Sequence, residues 1–284
     1  DTDAVVDRDV TQRLTPLYQV CHSALTPATS AHCGRWCFQR CRRLRRPSPR
    51  RAPARGDRVD FDAILGKLVG QALGVFSHPE EREGKVFVFP HIFAEVMKLY
   101  METHGVTEED LAKIAVAEYA RARHNPYAQM RNVEVTLEQA MTIEGINRYI
   151  VDGLPLKTYD CSQITDGYAG LLLATEEGLA KLGVAKADCV ELAGYGQATD
   201  PILKAGRDIL VPYGAYQAMG KAYAMAGERP EDVNVAEIHD CFTVMGAIGT
   251  EVIGKAEYGK GAQYWRDGKA DAKGECGINT SGGL

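Results

Sequence analysis

The chain has 284 residues, 45% hydrophobic, 8% aromatic and 25% charged, enough apolar material for one large domain or two ordinary ones. The composition is near the globular average and no apolar run reaches the roughly 18 residues of a membrane span, which argues against both a disordered chain and a membrane-spanning one. The 33 Lys and Arg against 38 Asp and Glu leave a formal charge of −5, yet ten Arg, no Lys and one Asp between Gly34 and Arg58 give that block +9 and the remainder −14.

Asp1-Thr2-Asp3-Ala4 opens the sequence without the basic and apolar regions of a signal peptide. Of the eight Cys, Cys21, Cys33, Cys37 and Cys41 crowd the N-terminal region, while Cys161, Cys189, Cys241 and Cys276 are scattered singly. That usage suits reduced thiols, and a cytoplasmic location is expected. His32 with Cys33, Cys37 and Cys41 is a poor zinc pattern because it lacks a second, distant ligand pair, so no metal is expected. The Arg-rich block holds Pro47, Pro49 and Pro53 and shows neither helical nor alternating periodicity. It reads better as GC-rich codons translated out of frame than as a nucleic-acid tail, since such tails usually mix Lys with Arg and lie at a chain end.

From Phe61 onward the pattern is that of an α/β protein. Ile92, Phe93, Val96, Met97 and Tyr100 lie on one helical face over Ile92 to His104, and Gly105 closes the helix. Thr107 and Asp110 then form a capping-box pattern for a helix running to His124, which Asn125-Pro126 stops. The acidic start and basic end of this helix suit its dipole. Tyr168 to Ala174 predicts a buried strand followed by a helix ending near Gly183, and Cys189 to Ala193 predicts a second strand closed by Gly194-Tyr195-Gly196. Pro212 to Ala226 predicts a helix capped by Gly227, Asp232 to Ile238 a strand, and Phe242 to Ile253 a helix of small residues. Strands alternating with helices predict a mostly parallel, layered α/β fold.

His239, Asp240 and Cys241 fall between the predicted strand and helix, at the edge where α/β folds bind ligands. A thiol at a helix start beside an imidazole has two reasons for a depressed pKa, and the same helix end can stabilise an oxyanion. The same three residues also fit a capping Asp, a buried Cys and a satisfied His. In the tail, Cys276 to Leu284 places a short strand before the turn Asn279-Thr280-Ser281-Gly282-Gly283-Leu284, whose glycines allow close approach of the backbone.

His239-Asp240-Cys241-Phe242 followed by that turn, together with Asn125-Pro126-Tyr127-Ala128, Asp160-Cys161-Ser162-Gln163-Ile164-Thr165-Asp166-Gly167 and Gly194-Tyr195-Gly196-Gln197, resembles the thiolase superfamily. The likeness is in particular to the sterol-carrier-protein-type thiolases and the archaeal and bacterial acetyl-CoA acetyltransferases near them, and it covers residues 59–284. It implies an α/β, layered, thiolase-like fold of two similar βαβ halves with an inserted loop domain over the coenzyme A site. On that template residues 1–57 are a remnant of the first half, 58–156 mostly loop domain, 157–182 the end of the first half, and 183–284 a truncated second half.

The implied reaction is Claisen condensation or its thiolytic reverse, with acyl-CoA and coenzyme A as substrates, an acyl-enzyme on a reactive Cys, and no other cofactor. The resemblance implies that His239 helps form an oxyanion hole and that Cys241 moves the α-proton as acid and base. The family's nucleophile lies in a Cys-x-Ser/Thr-Gly-like elbow, for which Cys21, followed by His22-Ser23, and Cys33, followed by Gly34, are the two candidates, Cys33 being the one nominated; Asn279, Ser281, Gly282 and Gly283 form the implied substrate-binding turn. The family also has a Gly-His-Pro motif after that turn, which residues 1–284 do not contain, so a partial catalytic set and impaired activity are expected. A homodimer or larger homo-oligomer, and a small zinc-ribbon partner protein, are the partners the resemblance suggests, with no nucleic acid and no membrane span. The alternative is a thiolase-like protein that binds acyl-CoA or a partner without turnover.

Overall fold

The computed structural model describes residues 78–85, 87–163, 170–201 and 207–284. Cys33, the Arg-rich block and residues 1–57 as a whole lie outside the described residues. Eight α-helices occur among those described: α1 (Pro79–Arg82), α2 (Val88–His104), α3 (Glu108–Ala122), α4 (Leu137–Met141), α5 (Glu176–Leu182), α6 (Tyr213–Ala226), α7 (Thr243–Val252) and α8 (Gly261–Arg266). Two short strands, β1 (Val235–Ala236) and β2 (Gly277–Ile278), pair in parallel with Val235 opposite Gly277 and Ala236 opposite Ile278.

The helices form where local signals are strongest. Helix α2 begins four residues before its predicted start, with Pro90 in the first turn, where a backbone N–H has no helical acceptor. Gly105 ends it in the left-handed region at φ 67°, returning its N–H to the Met101 carbonyl. Helix α3 carries the expected capping box: the Asp110 amide donates to Thr107 Oγ1 at 3.2 Å, and the Thr107 amide donates to Asp110 Oδ2 at 3.0 Å. Helix α6 is closed by Gly227 at φ 71°.

The core is built where α7 meets α2, α3 and α8. Met97 and Tyr100 of α2, Leu111 and Ile114 of α3, Val244, Ala247 and Ile248 of α7, Ala262 and Trp265 of α8, and Ile278 of β2 belong to one buried cluster. The small residues of α7 allow this packing: an added Cβ at Gly246 would lie 3.2 Å from Ile114, so the glycine sets how closely α7 approaches α3. The core therefore joins the 58–156 and 183–284 segments.

Three strand expectations are corrected. In the 168–174 segment, residues 168 and 169 are outside the described residues, while Leu171, Leu172 and Leu173 are 48%, 65% and 50% exposed and form no ladder. Cys189–Ala193 likewise forms no strand, and Val190 is exposed, although Ala174 and Glu191 are each single bridge residues. Asp232 ends a 3₁₀ turn, which leaves only Val235–Ala236 of its predicted strand. A strand needs a hydrogen-bonding neighbour: β2 offers β1 only two residues, and the other two segments carry no more than a single bridge residue each. The described sheet thus has two strands, and the expected pair of layered halves is not displayed by the described residues.

Candidate functional site

The connection from β1 to α7 carries Glu237 through Phe242. Phe242 is the N-cap of α7, buried, with its ring stacked on Phe93 at a centroid distance of 4.6 Å. Beside it runs the Asp160-Cys161-Ser162 segment: Cys161 and Phe242 form an antiparallel bridge, the Ser162 amide donates to the Cys241 carbonyl at 3.0 Å, and Thr243 Oγ1 donates to Asp160 Oδ1 at 3.0 Å. Asp160 is held in turn by the fully buried Lys157, whose Nζ lies 3.0 Å from Asp160 Oδ2 and 3.2 Å from Glu108 Oε2. Burial opposes the Lys157 charge, but the two carboxylates outweigh it and keep this ammonium above its ordinary pKa.

The tail closes over the same connection. Asn279, in the left-handed region at φ 50° and fully buried, accepts from the Ile238 amide through Oδ1 at 2.7 Å and donates through Nδ2 to Glu118 Oε1 at 3.3 Å. Ser281 donates its hydroxyl to Glu237 Oε2 at 2.6 Å, and its carbonyl accepts from Asn125 Nδ2 at 3.1 Å. The Asn125-Pro126-Tyr127-Ala128 motif is thereby tied to the Asn279–Leu284 turn. The turn's glycines answer to helix α3: an added Cβ at Gly282, φ 113°, would meet Ala122 at 2.7 Å, and one at Gly283, φ 73°, would fall 2.3 Å from Asp240 Oδ2 and 3.1 Å from Glu118 Oε1.

Between these elements lies a small cavity of about 50 Å³, with Glu118, Tyr119, Cys161, Asp240, Thr243 and Gly282 in its wall. The structure brings some of the predicted site residues to it and leaves others away. Asp240 and Gly282 line the cavity, while His239 is exposed and outside its lining. Asn279 and Ser281, expected to bind substrate, have the protein partners just described.

Cys241 departs from the expectation of a low-pKa thiol. Burial first, and the Asp240 carboxylate second, push it up to about 11, against the help of the Phe242 and Cys241 backbone amides. Helix α7 begins only at Thr243, so Cys241 stands two residues ahead of the helix end that was to stabilise its thiolate. Cys161 is pushed up to about 12, by burial first and then by Asp160 and Cys241.

Two polar residues of the site were missed from sequence. Arg121 is buried, donates to the carbonyls of Ile278 and Ala270 and to Asp271 Oδ1, and stacks over Trp265. Its place near the end of α3 suggested only a dipole role. Glu118 continues the apolar stripe Leu111, Ile114, Ala115, and that spacing was the available signal: a carboxylate on a buried helical face needs a partner.

Residues 196–284 match the family model described as "Thiolase C-terminal domain-like". An acetyl-CoA acetyltransferase of Methanothermobacter thermautotrophicus is 32% identical over 214 residues, which is 75% of this chain and 53% of that protein. The chain is similar to members of the thiolase superfamily, and residues 196–284 match its C-terminal domain. Sterol carrier protein 2 of Bos taurus is 33% identical over 201 residues, 69% of this chain and 36% of that one. Among solved structures, the Ltp2-ChsH2(DUF35) aldolase superposes with a TM-score of 0.61 at 24% identity, over 82% of this chain and 56% of that chain. The fold is accordingly thiolase-like, and the chain spans about half the length or less of the curated relatives it matches.

Proposed function

We propose that the protein is a thiolase-type acyl-CoA acyltransferase, catalysing Claisen condensation or thiolytic cleavage of a 3-ketoacyl-CoA through an acyl-cysteine. The observation that carries this reading is the junction of β1 and α7, which presents His239-Asp240-Cys241 against the Asn279–Leu284 turn. Relatives named acetyl-CoA acetyltransferase support it. In this reading exposed His239 donates to the thioester oxygen as an enolate develops, Cys241 exchanges the α-proton, Cys33 is the nucleophile, and the Gly282-Gly283 backbone borders the substrate. The coenzyme A thioester is substrate, and no further cofactor enters. Two similar halves, a homodimer and a small zinc-ribbon partner belong to the same reading. The aldolase neighbour is itself described together with a DUF35 component.

A second reading has its own observation. A Cys241 thiol pushed up to about 11 is a poor base near neutral pH, which favours a protein that binds acyl-CoA without turning it over. One experiment separates the two: equilibrium binding of acetyl-CoA to the full chain, with acetoacetyl-CoA thiolysis measured on the same sample. Binding with turnover that falls at least ~100-fold in His239→Ala supports the acyltransferase. Binding without turnover supports the second reading, and absence of both sinks the two together.

A further inference from the structure

Asp240 and Glu118 form a carboxyl pair that the acyl-transfer reading does not use. Asp240 is 5% exposed; its Oδ1 accepts from the Leu284 amide at 2.9 Å, but its Oδ2 is buried with no hydrogen-bond donor among the described residues. An unmet buried acceptor carries a cost of roughly 1–3 kcal/mol, more when charged, so native structures seldom leave one. The group facing it is the Glu118 carboxyl, brought close enough to hydrogen-bond by the absence of a side chain at Gly283. Two ionised carboxylates offer only acceptors to each other. A single proton on Glu118 turns it into the missing donor.

We propose that Glu118 and Asp240 share one proton at neutral pH and are the proton-exchanging group of the cavity they line. The charges around the pair agree. Burial first, then the Asp240 carboxylate, push the Glu118 carboxyl well above the usual carboxylate range, against the opposing pull of Asn279 and Arg121. The Arg121 guanidinium on the same helix is already committed to Ile278, Ala270 and Asp271. From the facing segment, Asp160 is bound to Lys157, and Cys161 and Tyr159 add no positive charge. Tyr119 beside Glu118 and Cys241 beside Asp240 are neutral donors at neutral pH, both raised from their ordinary values by burial first. The cavity, about 50 Å³ and lined by both polar and apolar groups, has room for a few waters at roughly 10–15 Å³ each beside the carboxyls. Such a water can take the proton from Glu118, leaving both carboxylates charged, and return it. This assignment is independent of which acyl chemistry the chain performs.

Infrared spectroscopy of the full chain tests it without substrate. At pH 7 the wild type is expected to show a protonated-carboxyl C=O band that shifts when water is replaced by D₂O. Glu118→Gln, whose amide can donate to Asp240 Oδ2, is expected to remove the band and keep the fold. Asp240→Asn also removes it, by giving Glu118 an amide donor, whereas Cys241→Ala retains it. A wild type without the band at pH 7, a band surviving in Glu118→Gln, or a band indifferent to D₂O would each overturn the proposal. If neither carboxyl variant folds, the pH titration of the wild-type band decides: a midpoint well above the ~4.3 of a free Glu supports the shared proton, and a midpoint at that value refutes it.

Discussion

The Cys241 thiol is governed by burial and by the Asp240 carboxylate, and the backbone amides at the start of α7 are too few to reverse them. Alkylation by iodoacetamide should therefore be slow at neutral pH and rise only with a midpoint above the ~8.5 of a free thiol. Peptide mapping over pH 6–10 checks this, and a midpoint below 8 would restore the thiolate-forming helix end. Gly283 offers a second measurement. Its φ of 73° costs any other residue about 1 kcal/mol or more, and an added Cβ would also displace the Asp240 and Glu118 carboxyls. Gly153, at φ 77° with nothing within 4 Å of an added Cβ, isolates the backbone part. By urea unfolding, Gly283→Ala should lose about 2–4 kcal/mol and Gly153→Ala only about 1 kcal/mol. Equal losses would mean that the turn yields freely. The glycines' identity was legible in the sequence, but what they approach was not, because Glu118 lies more than 160 positions away in the chain.

Helix α3 shows which element-scale features a sequence can specify. Its capping box is local, four residues long, and so was readable in full; Thr107→Ala should cost about 1 kcal/mol in chemical denaturation. Asp110 of that box also accepts from Arg266 Nη1 of α8 at 3.1 Å. Burial pushes the Asp110 carboxyl up, but Thr107 and Arg266 outweigh it and hold the group below the usual carboxylate range. A depressed folded pKa means stability that is present above the unfolded value of ~3.9 and is lost as pH falls through the folded one. Thermal unfolding between pH 5 and 2 should then fall less steeply in Asp110→Asn than in the wild type. Parallel slopes would show that the ion pair contributes nothing to acid stability. The strands were less legible for the converse reason. Leu171-Leu172-Leu173 has strand composition, yet pairing is a property of a neighbour that local composition does not encode.

On the scale of the molecule, what was readable was the set of motifs and their order, and what was not was their mutual contact. Asn125 meets Ser281, Cys161 meets Phe242, and Arg121 crosses to Ile278 and Ala270. These long-range ties and the shared core join α2, α3, α7, α8 and the tail into one cooperative body. The described residues 170–201 are different: only Leu179 among them is buried, and α5, seven residues long, is too short to persist by itself even with its Thr175 cap and Gly183 stop. Local opening free energy follows buried apolar contact, so the two regions should separate in hydrogen exchange. Amides of α3 and α7 are expected to exchange only through global unfolding, all slowing alike when the protein is stabilised. Those of 171–190 are expected to exchange at least ~100-fold faster, by openings that leave the α3–α7 core intact. The exposed leucines give the experiment its decisive outcome. If amides 171–174 prove as protected as those of α7, then Leu171, Leu172 and Leu173 are covered in solution, and the segment is a paired strand after all.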